Sequence, residues 1–376
     1  MLAPVTVWRE LSSSELADWN QRLLREPSAS VRQFPLLNEG HRVSGSIWIT
    51  FPKRFASLID WARRWSTTPR YLVHRSRDGK TSYSCIVSIG LPGIRFGCIV
   101  DGPINMDDSP MDPSVVRDLL MWARRNHYVA LRVTHPDGAY LNALAALGNS
   151  DRTDGVPFYP YPISELYVNL ASSEAAVLAS FQSVARRNIR QAQEAGYDIT
   201  VDHGPEALDK VWPVFHARAA QKGISYRTLK VWKLVMREAE PHQAATLYTA
   251  WRKGVPISAI LVLRDRTTAH NVIGAIDEDA LGDSPSPACL LHWSAMREAM
   301  RLGCRFYNLG TRSGSVYTFK SKFRPTERDW PAPLTFAISP RLYQVWRRLL
   351  PSVARFVTRH ASRTEAPASE KLYRIT

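Results

Sequence analysis

The sequence predicts an α/β (α+β) protein built from two copies of one domain, each a mixed, mostly antiparallel sheet flanked by helices. The chain has 376 residues, which is longer than one hydrophobic core usually supports. Hydrophobic residues make up 45% of it, as in folded proteins rather than disordered ones. The same order of elements, three strands followed by a helix and a strand, occurs once in each half. A repeat of this length indicates duplicated domains with helices packed on their sheets.

The first copy is predicted from hydrophobic periodicity and turn residues. An amphipathic helix at residues 14–26 precedes three strands between residues 70–105, which glycine-containing turns separate. A helix follows at 113–126 with proline in its first turn, where a backbone N–H is not needed. A buried apolar strand at 128–133 is the last element of a first domain at 1–147.

The second copy follows a loop rich in glycine, asparagine, aspartate and proline at 148–164, which we interpret as a linker. Its domain is predicted to extend over 165–338 and to contain more helices than the first. In order, the predicted elements are a strand at 165–170, helices at 173–196, 208–222 and 228–239, two strands joined by a turn at Lys253-Gly254, a strand at 270–277, a helix at 288–302 and a strand at 304–310.

The C-terminal segment is predicted to form a basic amphipathic helix at 339–363 and a disordered tail at 364–376. Apolar residues lie on one side of this helix, and six arginines surround them. A helix of this kind binds an anionic membrane surface or docks on the second domain with its arginines in water. The sequence leaves both interpretations open.

Charge and cysteine usage limit the partners and the compartment. The formal net charge is +15 at neutral pH, from 49 Lys and Arg against 34 Asp and Glu. This excess favours a polyanionic partner: tRNA, a phosphorylated substrate or an anionic membrane face. The four cysteines lie in apolar surroundings without a C-x-x-C pair, which predicts buried thiols in a reducing compartment. Neither they nor the histidines have metal-ligand spacing, so no metal is expected.

Targeting signals are not evident in the sequence. The N-terminal residues lack the basic stretch followed by an apolar block that is typical of a signal peptide. No apolar run approaches the roughly 18 residues of a membrane-spanning helix. We therefore expect a cytoplasmic protein.

The stretch 305–323 concentrates the chemistry of the second copy. It is predicted to form a strand, a loop with two glycines that carries Arg312, and a second strand that ends in Phe319-Lys320. Glycine N–H groups and a guanidinium converge readily on an anion, and Lys320 adds a point charge beside them. Taken alone, a basic glycine loop is also typical of a solvated turn.

The second half carries four motifs in a recognisable order: A-R-R-N-I-R-Q-A-x-E-A-G, S-P-x-x-L-L-x-W, R-F-Y-N-L-G and F-K-x-K-F. Over 165–335 they resemble the Fem family of peptidyl and aminoacyl transferases and the related GNAT-like acyltransferases. The resemblance implies two tandem GNAT-like domains with an acceptor site in the cleft between them. It also implies an acyl donor, often an aminoacyl-tRNA, whose carbonyl is attacked by an amine of the acceptor.

The resemblance places the F-K pair, Phe319 and Lys320, beside the reacting centre as catalytic residues. Because an aminoacyl ester is already activated, the enzyme chiefly orients the amine and stabilises the oxyanion, which suits a fixed cation such as Lys320. Relatives often carry aspartate where this chain has Asn308, so a catalytic carboxylate is not expected there. The candidates for acceptor binding are Tyr226, Arg227, Arg312 and Tyr317.

Two features bear on the donor. Arg186, Arg187 and Arg190 lie on one predicted helix and are candidates for tRNA phosphates, with a solvated helix face as the alternative. In GNAT acetyltransferases a glycine-rich turn before a helix holds the coenzyme A pyrophosphate. The equivalent turn here, at 277–287, contains four carboxylates and two prolines, which disfavour binding of that kind.

These observations predict an acyltransferase that moves an aminoacyl group from aminoacyl-tRNA to an amine of a peptidoglycan precursor or another small acceptor, without a cofactor. The expected partners are tRNA and a small amine, phosphorylated or lipid-linked, with peripheral contact at the inner membrane face. One alternative is an acyl-CoA-dependent N-acyltransferase acting on an amino sugar in exopolysaccharide biosynthesis. The other is a non-catalytic RNA- or membrane-binding protein on the same fold.

Overall fold

The structure, a computed structural model, describes residues 7–40, 66–91, 94–152, 164–222, 228–312 and 314–348. Its strands are β1 (Arg9–Glu10), β2 (Ser66–Arg75), β3 (Thr81–Leu91), β4 (Ile94–Val100), β5 (Ile104–Asn105), β6 (Tyr128–Thr134), β7 (Ser150–Asp151), β8 (Ser164–Asn169), β9 (Asp198–Asp202), β10 (Ala245–Arg252), β11 (Val255–Arg264), β12 (Thr268–Ile276), β13 (Phe306–Thr311), β14 (Thr326–Asp329) and β15 (Leu334–Ala337). Its helices are α1 (Leu16–Leu23), α2 (Pro35–Asn38), α3 (Pro113–Arg125), α4 (Gly138–Ala145), α5 (Glu174–Ser180), α6 (Ser183–Glu194), α7 (Ala207–Lys222), α8 (Leu229–Ala239), α9 (Glu278–Leu281), α10 (Ala288–Arg301), α11 (Gly314–Lys320) and α12 (340–348).

The strands form two sheets, one for each half of the chain. The first has the order β1-β2-β3-β4-β6-β15-β7, with β5 paired to β3, and the second has the order β14-β8-β13-β12-β11-β10-β9. Among the described strands, the parallel neighbours are β4 with β6 and β12 with β13. The other pairs are antiparallel. The predicted fold class, two mixed and mostly antiparallel sheets flanked by helices, is confirmed.

The two pairs of parallel strands differ in the number of residues that are paired. β4 pairs with β6 through six successive positions, from Arg95 to Val100. β12 pairs with β13 through three, the last of which joins His270 to Asn308. Pairing between β12 and β13 therefore ends at His270 and Asn308, and we call the place where these two strands part the crevice. In an open sheet, ligands usually bind where neighbouring strands part at their carboxyl ends.

One strand crosses the predicted domain boundary. β15 lies within the predicted second domain, 165–338, yet its Phe336 pairs with Leu131 of β6 and its other edge pairs with β7. It completes the first sheet because β6 would otherwise expose unpaired N–H and C=O groups along one edge. The predicted end of the second domain at residue 338 therefore does not coincide with the division into sheets.

The prediction of a second strand at the end of 305–323 is wrong. This segment forms α11, followed by a 3-10 turn at Ser321–Phe323. The rings of Phe319 and Phe323 lie 5.6 Å apart, and both pack against His292. Residues four apart in a strand would be separated by about 13 Å, so the shared contact requires the helical conformation.

The predicted single helix at 173–196 is also wrong, because α5 and α6 are separated at Phe181-Gln182. Both of these residues have extended backbone, with ψ of 158° and 150°. The ring of Phe181 is buried and makes edge contacts with Trp293 and Phe323, with centres 5.6 and 5.2 Å away. The break therefore directs a large aromatic side chain into the core instead of along a helix surface.

A single hydrophobic cluster continues from the first sheet into the second. It includes Phe34 and Leu36 from the first copy together with Leu247 and Leu261 from the second. A second cluster lies between the other face of the second sheet and the helices α6 and α10. The shared cluster packs the two halves against each other, so that residues from both halves reach one place.

The predicted C-terminal helix is described only over α12. Its Tyr343 is buried, and the Tyr343 hydroxyl and the Arg347 guanidinium both donate to Asp151. The rest of the predicted helix, 349–363, and the predicted tail, 364–376, lie outside the described residues. None of the described helices is long and apolar enough to cross a membrane.

Candidate active site

Lys320 lies at the crevice between β12 and β13. It is the last residue of α11 and is 9% exposed. Its Nζ donates a hydrogen bond to the Thr311 carbonyl over 2.7 Å. A Cβ atom placed on Gly310 would lie 3.6 Å from the same Nζ, and Gly310 has a φ of +81°. Glycine at this position therefore supplies the left-handed backbone, whereas 3.6 Å to the ammonium group is an ordinary contact distance.

Burial controls the charge on Lys320. Desolvation lowers the pKa of Lys320 to about 8, although the negative charge of Glu165 acts in the opposite direction. Desolvation and the Lys320 charge together lower the pKa of the neighbouring His292 to about 3. At neutral pH the crevice thus contains an ammonium group beside an uncharged imidazole.

A buried carboxylate, Glu165 of β8, collects hydrogen bonds beneath this crevice. It accepts from Arg32 Nη2, from Asn308 Nδ2 at 3.1 Å, from the Tyr167 hydroxyl at 2.9 Å and from Trp330 Nε1 at 3.2 Å. Burial alone would raise the pKa of Glu165, but the charge of Arg32 and the donated hydrogen bonds outweigh it and hold the pKa below its usual range. The carboxylate is therefore ionised, and its acceptor capacity is used by the protein itself.

Asn308 connects this carboxylate to a second one. Its Oδ1 accepts from the Gly310 N–H at 2.7 Å, so its Nδ2 faces both Glu165 and, at 3.3 Å, His270 Nδ1. His270 Nδ1 must then be the acceptor, which leaves the proton on Nε2 to be donated to Asp265 Oδ2 at 2.8 Å. Burial opposes ionisation of Asp265, yet the interaction with His270 lowers its pKa overall.

The first half of the chain completes this network. Arg32 lies in a 3-10 turn, Val31–Gln33, and its Nη1 is 3.7 Å from Asp101. Its guanidinium also stacks over Trp330, 5.3 Å from the ring centre. The neighbouring backbone N–H in the same turn donates to Asp265 at 3.3 Å. Residues from both halves of the chain therefore form the network beneath the crevice.

The structure places the two predicted catalytic residues differently, and their catalytic role remains a prediction. Lys320 reaches the crevice, whereas Phe319 packs beside His292 and holds the helix in place. Arg312 forms an ion pair with Glu327 at 3.0 Å and lies 4.9 Å from the ring centre of Tyr317. The acceptor-binding role predicted for Arg312 and Tyr317 remains a prediction, and the charge of Arg312 is already neutralised by the Glu327 carboxylate. The other two acceptor candidates, Tyr226 and Arg227, lie outside the described residues.

The three predicted tRNA-binding arginines lie at the start of α6, where they border an open surface hollow of about 390 Å³ that we call the arginine groove. Arg186 donates to the Ala179 and Phe181 carbonyls and so fixes the corner between α5 and α6. Arg190 lies 3.7 Å from Glu194, and Arg187 is exposed. The backbone N–H of Gln182 donates to the Lys322 carbonyl at 2.9 Å. The groove therefore adjoins the turn that follows Lys320. 

Sequence reasoning missed the network residues Arg32, Glu165, Asp265 and His270. One signal was available, because Glu165 is an acidic residue in a predicted apolar strand, and buried acidic residues are rare without partners. In the described part of the chain, the structure contains no group of three or more His, Cys, Asp or Glu side chains placed to hold a metal ion.

Sequence comparison matches a family model to part of the second half, which includes Lys320, Asp265 and His270. A family model described as an acetyltransferase (GNAT) domain matches residues 179–321. The matched region runs from the corner before α6 to the residue after Lys320, and so includes the arginine groove and both strands of the crevice. No curated protein sequence matches the chain.

Several solved structures are similar to this chain, and two of them, FemX and the protein from Bacteroides thetaiotaomicron, share its architecture. FemX has a TM-score of 0.70 at 12% identity, with 90% of this chain and 99% of that chain covered. A conserved protein of unknown function from Bacteroides thetaiotaomicron has a TM-score of 0.53 at 9% identity, with 88% and 99% covered. A tandem GNAT protein from the clavulanic acid biosynthesis pathway has a TM-score of 0.48 at 12% identity, with 89% and 99% covered. The similarity to FemX shows the fold and confirms the structural resemblance inferred from the motifs.

Proposed function

We propose that this acyltransferase transfers an aminoacyl group from aminoacyl-tRNA to an amine of a peptidoglycan precursor or another small acceptor. Residues 179–321 match a GNAT domain, and the proposal concerns the substrates of that domain. The observation that carries the proposal is the position of Lys320. Its ammonium group is fixed and desolvated in the crevice, beside a groove lined by arginines. A fixed cation in a desolvated site stabilises negative charge that develops in a transition state.

The proposed reaction needs no nucleophilic side chain. The acceptor amine attacks the ester carbonyl carbon, a C–N bond forms, and the C–O bond to the ribose oxygen breaks. The proton lost by the amine is taken up by that oxygen, so the atoms balance without a co-reactant. Lys320 uses one of its three N–H groups on Thr311, and within the described residues the others have no acceptor. In the proposed reaction they donate to the carbonyl oxygen as it becomes an oxyanion.

The turn before α10 supports tRNA rather than coenzyme A as the donor. A pyrophosphate at this turn would need free backbone N–H groups. The carboxylate of Asp277 instead accepts from the N–H groups of Asp279 and Ala280, at 3.1 and 3.0 Å. Two of the turn's donors are thus occupied by a negative charge that would repel a pyrophosphate.

The charge of the chain and the burial of its cysteines bear on its proposed partners and cellular location. The arginine groove gives the donor's phosphates a basic surface next to Lys320, and the excess of positive charge favours a polyanion. All four cysteines are buried, which is compatible with a cytoplasmic protein. We propose peripheral contact with the inner membrane face for a lipid-linked acceptor, and we propose that no cofactor is required.

A donor competition tests the proposed function. The purified chain is incubated with candidate amines and either labelled aminoacyl-tRNA or labelled acyl-coenzyme A, and amide product is measured. We expect product from aminoacyl-tRNA and none with Lys320→Ala. Transfer from acyl-coenzyme A alone would contradict the proposed donor, and no transfer from either would leave a binding protein on an acyltransferase fold.

A further inference from the structure

A basic and aromatic surface lies on the second sheet next to the buried network. The guanidinium of Arg328 lies 4.4 Å from the ring centre of Tyr167 and 4.4 Å from that of Phe306. These two rings are nearly perpendicular, at 87°. Arg305 lies 5.9 Å from the centre of the same Phe306 ring. We call these four residues the Phe306 patch.

The Arg328 guanidinium contacts both rings without a hydrogen bond to either of them. Its five N–H groups therefore remain available as donors. Arg305 and Arg328 are exposed, and in the part of the chain that the structure describes neither side chain has a hydrogen bond or an ion pair. By contrast, Arg312 nearby is bound to Glu327. The patch thus presents a positioned donor fork and a second positive charge to solvent.

Three members of the patch, Tyr167, Phe306 and Arg328, lie on the opposite face of the sheet from the arginine groove, and Arg305 immediately precedes β13. Side chains alternate between the two faces of a strand. Leu166 and Tyr307 pack with the helices of the second cluster, so their neighbours Tyr167 and Phe306 lie on the other face. On that face the Tyr167 hydroxyl donates to Glu165. Tyr167 therefore contacts both the network beneath the crevice and the Arg328 guanidinium.

We propose that Arg305 and Arg328 form a binding site for a phosphate or diphosphate group carried by the acceptor substrate. The assignment to the acceptor rests on the proposed function, in which the arginine groove on the opposite face takes the donor's phosphates. Two guanidinium groups beside one ring match the charge of a phosphate ester or a diphosphate. Arginine binds such oxygens in a bidentate manner, which a lysine cannot reproduce.

A binding experiment tests the site without requiring transfer. Inorganic pyrophosphate is titrated into the full chain by calorimetry at low salt. Arg328→Ala should weaken its affinity at least about tenfold, as expected for the loss of one charge-assisted hydrogen bond. Arg328→Lys should recover only part of it, and Phe306→Leu should weaken binding without removing a charge. The control is Arg125→Ala, which removes an exposed arginine from α3 in the first half.

The outcomes separate the site from the proposed function. Equal pyrophosphate affinity in the wild type, Arg328→Ala and Phe306→Leu would overturn the site, and so would an equal loss in Arg125→Ala. In transfer assays, Arg328→Ala should raise KM for a phosphorylated acceptor and leave KM for aminoacyl-tRNA unchanged. The reverse pattern would overturn the assignment to the acceptor, in favour of an RNA contact. Pyrophosphate binding that depends on Arg328, with no transfer from aminoacyl-tRNA, would retain the site and reject the donor.

Discussion

Asn308 donates a hydrogen bond from Nδ2 to Glu165 Oε1 over 3.1 Å. This contact explains why an amide occupies a position at which the resemblance to the Fem family led us to consider a carboxylate. Glu165 already supplies a negative charge at this point, and Arg32 neutralises it from the first half of the chain. A second carboxylate at 308 would lack a cation of its own.

Asn308→Asp tests this relationship. Two carboxylates in contact cannot both ionise easily, so we expect a lower free energy of unfolding at neutral pH, by about 2–4 kcal/mol. The pair would have a raised pKa in the folded state, so stability is retained at low pH and falls as the pH rises through that raised value. Urea unfolding at several pH values measures the effect. Asn169→Asp is the matched control, because Asn169 is an exposed residue at the end of the same β8 strand. An equal loss in both variants would argue against the pairing.

Replacing Lys320 should remove activity without unfolding the protein. We expect Lys320→Ala to lower turnover by about 10²–10³, as for loss of an oxyanion donor. Lys320→Met, which fills more of the space, should be as inactive and no less stable than the wild type, because a desolvated charge is lost. Turnover and thermal unfolding measure the two effects. Unchanged turnover would exclude Lys320 from the mechanism.

The charge on Lys320 should also appear in the pH dependence of stability. Its pKa is about 8 in the folded chain and 10.5 ordinarily, so between these values the unfolded chain binds more protons. The free energy of unfolding should therefore rise with pH across this window, by roughly 1–3 kcal/mol. Other groups titrate there as well, so the measured quantity is the difference between the wild type and Lys320→Met. Parallel curves for the two proteins would show that the pKa of Lys320 is not lowered.

Arg187 offers the cleanest test of the tRNA groove. Arg186 also holds the corner between α5 and α6, and Arg190 is close to a carboxylate, whereas Arg187 is exposed. Arg187→Ala should weaken tRNA binding and reduce the slope of log affinity against log salt by about 1. Filter binding at several salt concentrations measures it, with Arg125→Ala as the control. A slope identical to that of the wild type would indicate that the groove does not contact phosphates.

Local patterns in the sequence were sufficient for most elements and failed where a distant contact decided the conformation. The periodicity around 173–196 is helical, yet burying the ring of Phe181 between two other aromatic residues requires an extended residue. The segment ending in Lys320 resembled a strand, and the packing of Phe319 and Phe323 on His292 makes it a helix. In both cases the partners are too far away in sequence for a local pattern to include them.

The duplication, the mixed antiparallel sheets and the motif that contains Lys320 were predictable from the sequence, because they depend on periodicity, turn residues and the order of elements. The surroundings of Lys320 depend instead on contacts between distant parts of the chain. Arg32 and Glu165 are separated by 133 residues, and β15 returns from the second half to complete the first sheet. Such contacts form when the two halves pack together and exclude water. Burial then lowers the pKa of Lys320. It also makes the ionised state of Glu165 dependent on the charge of Arg32.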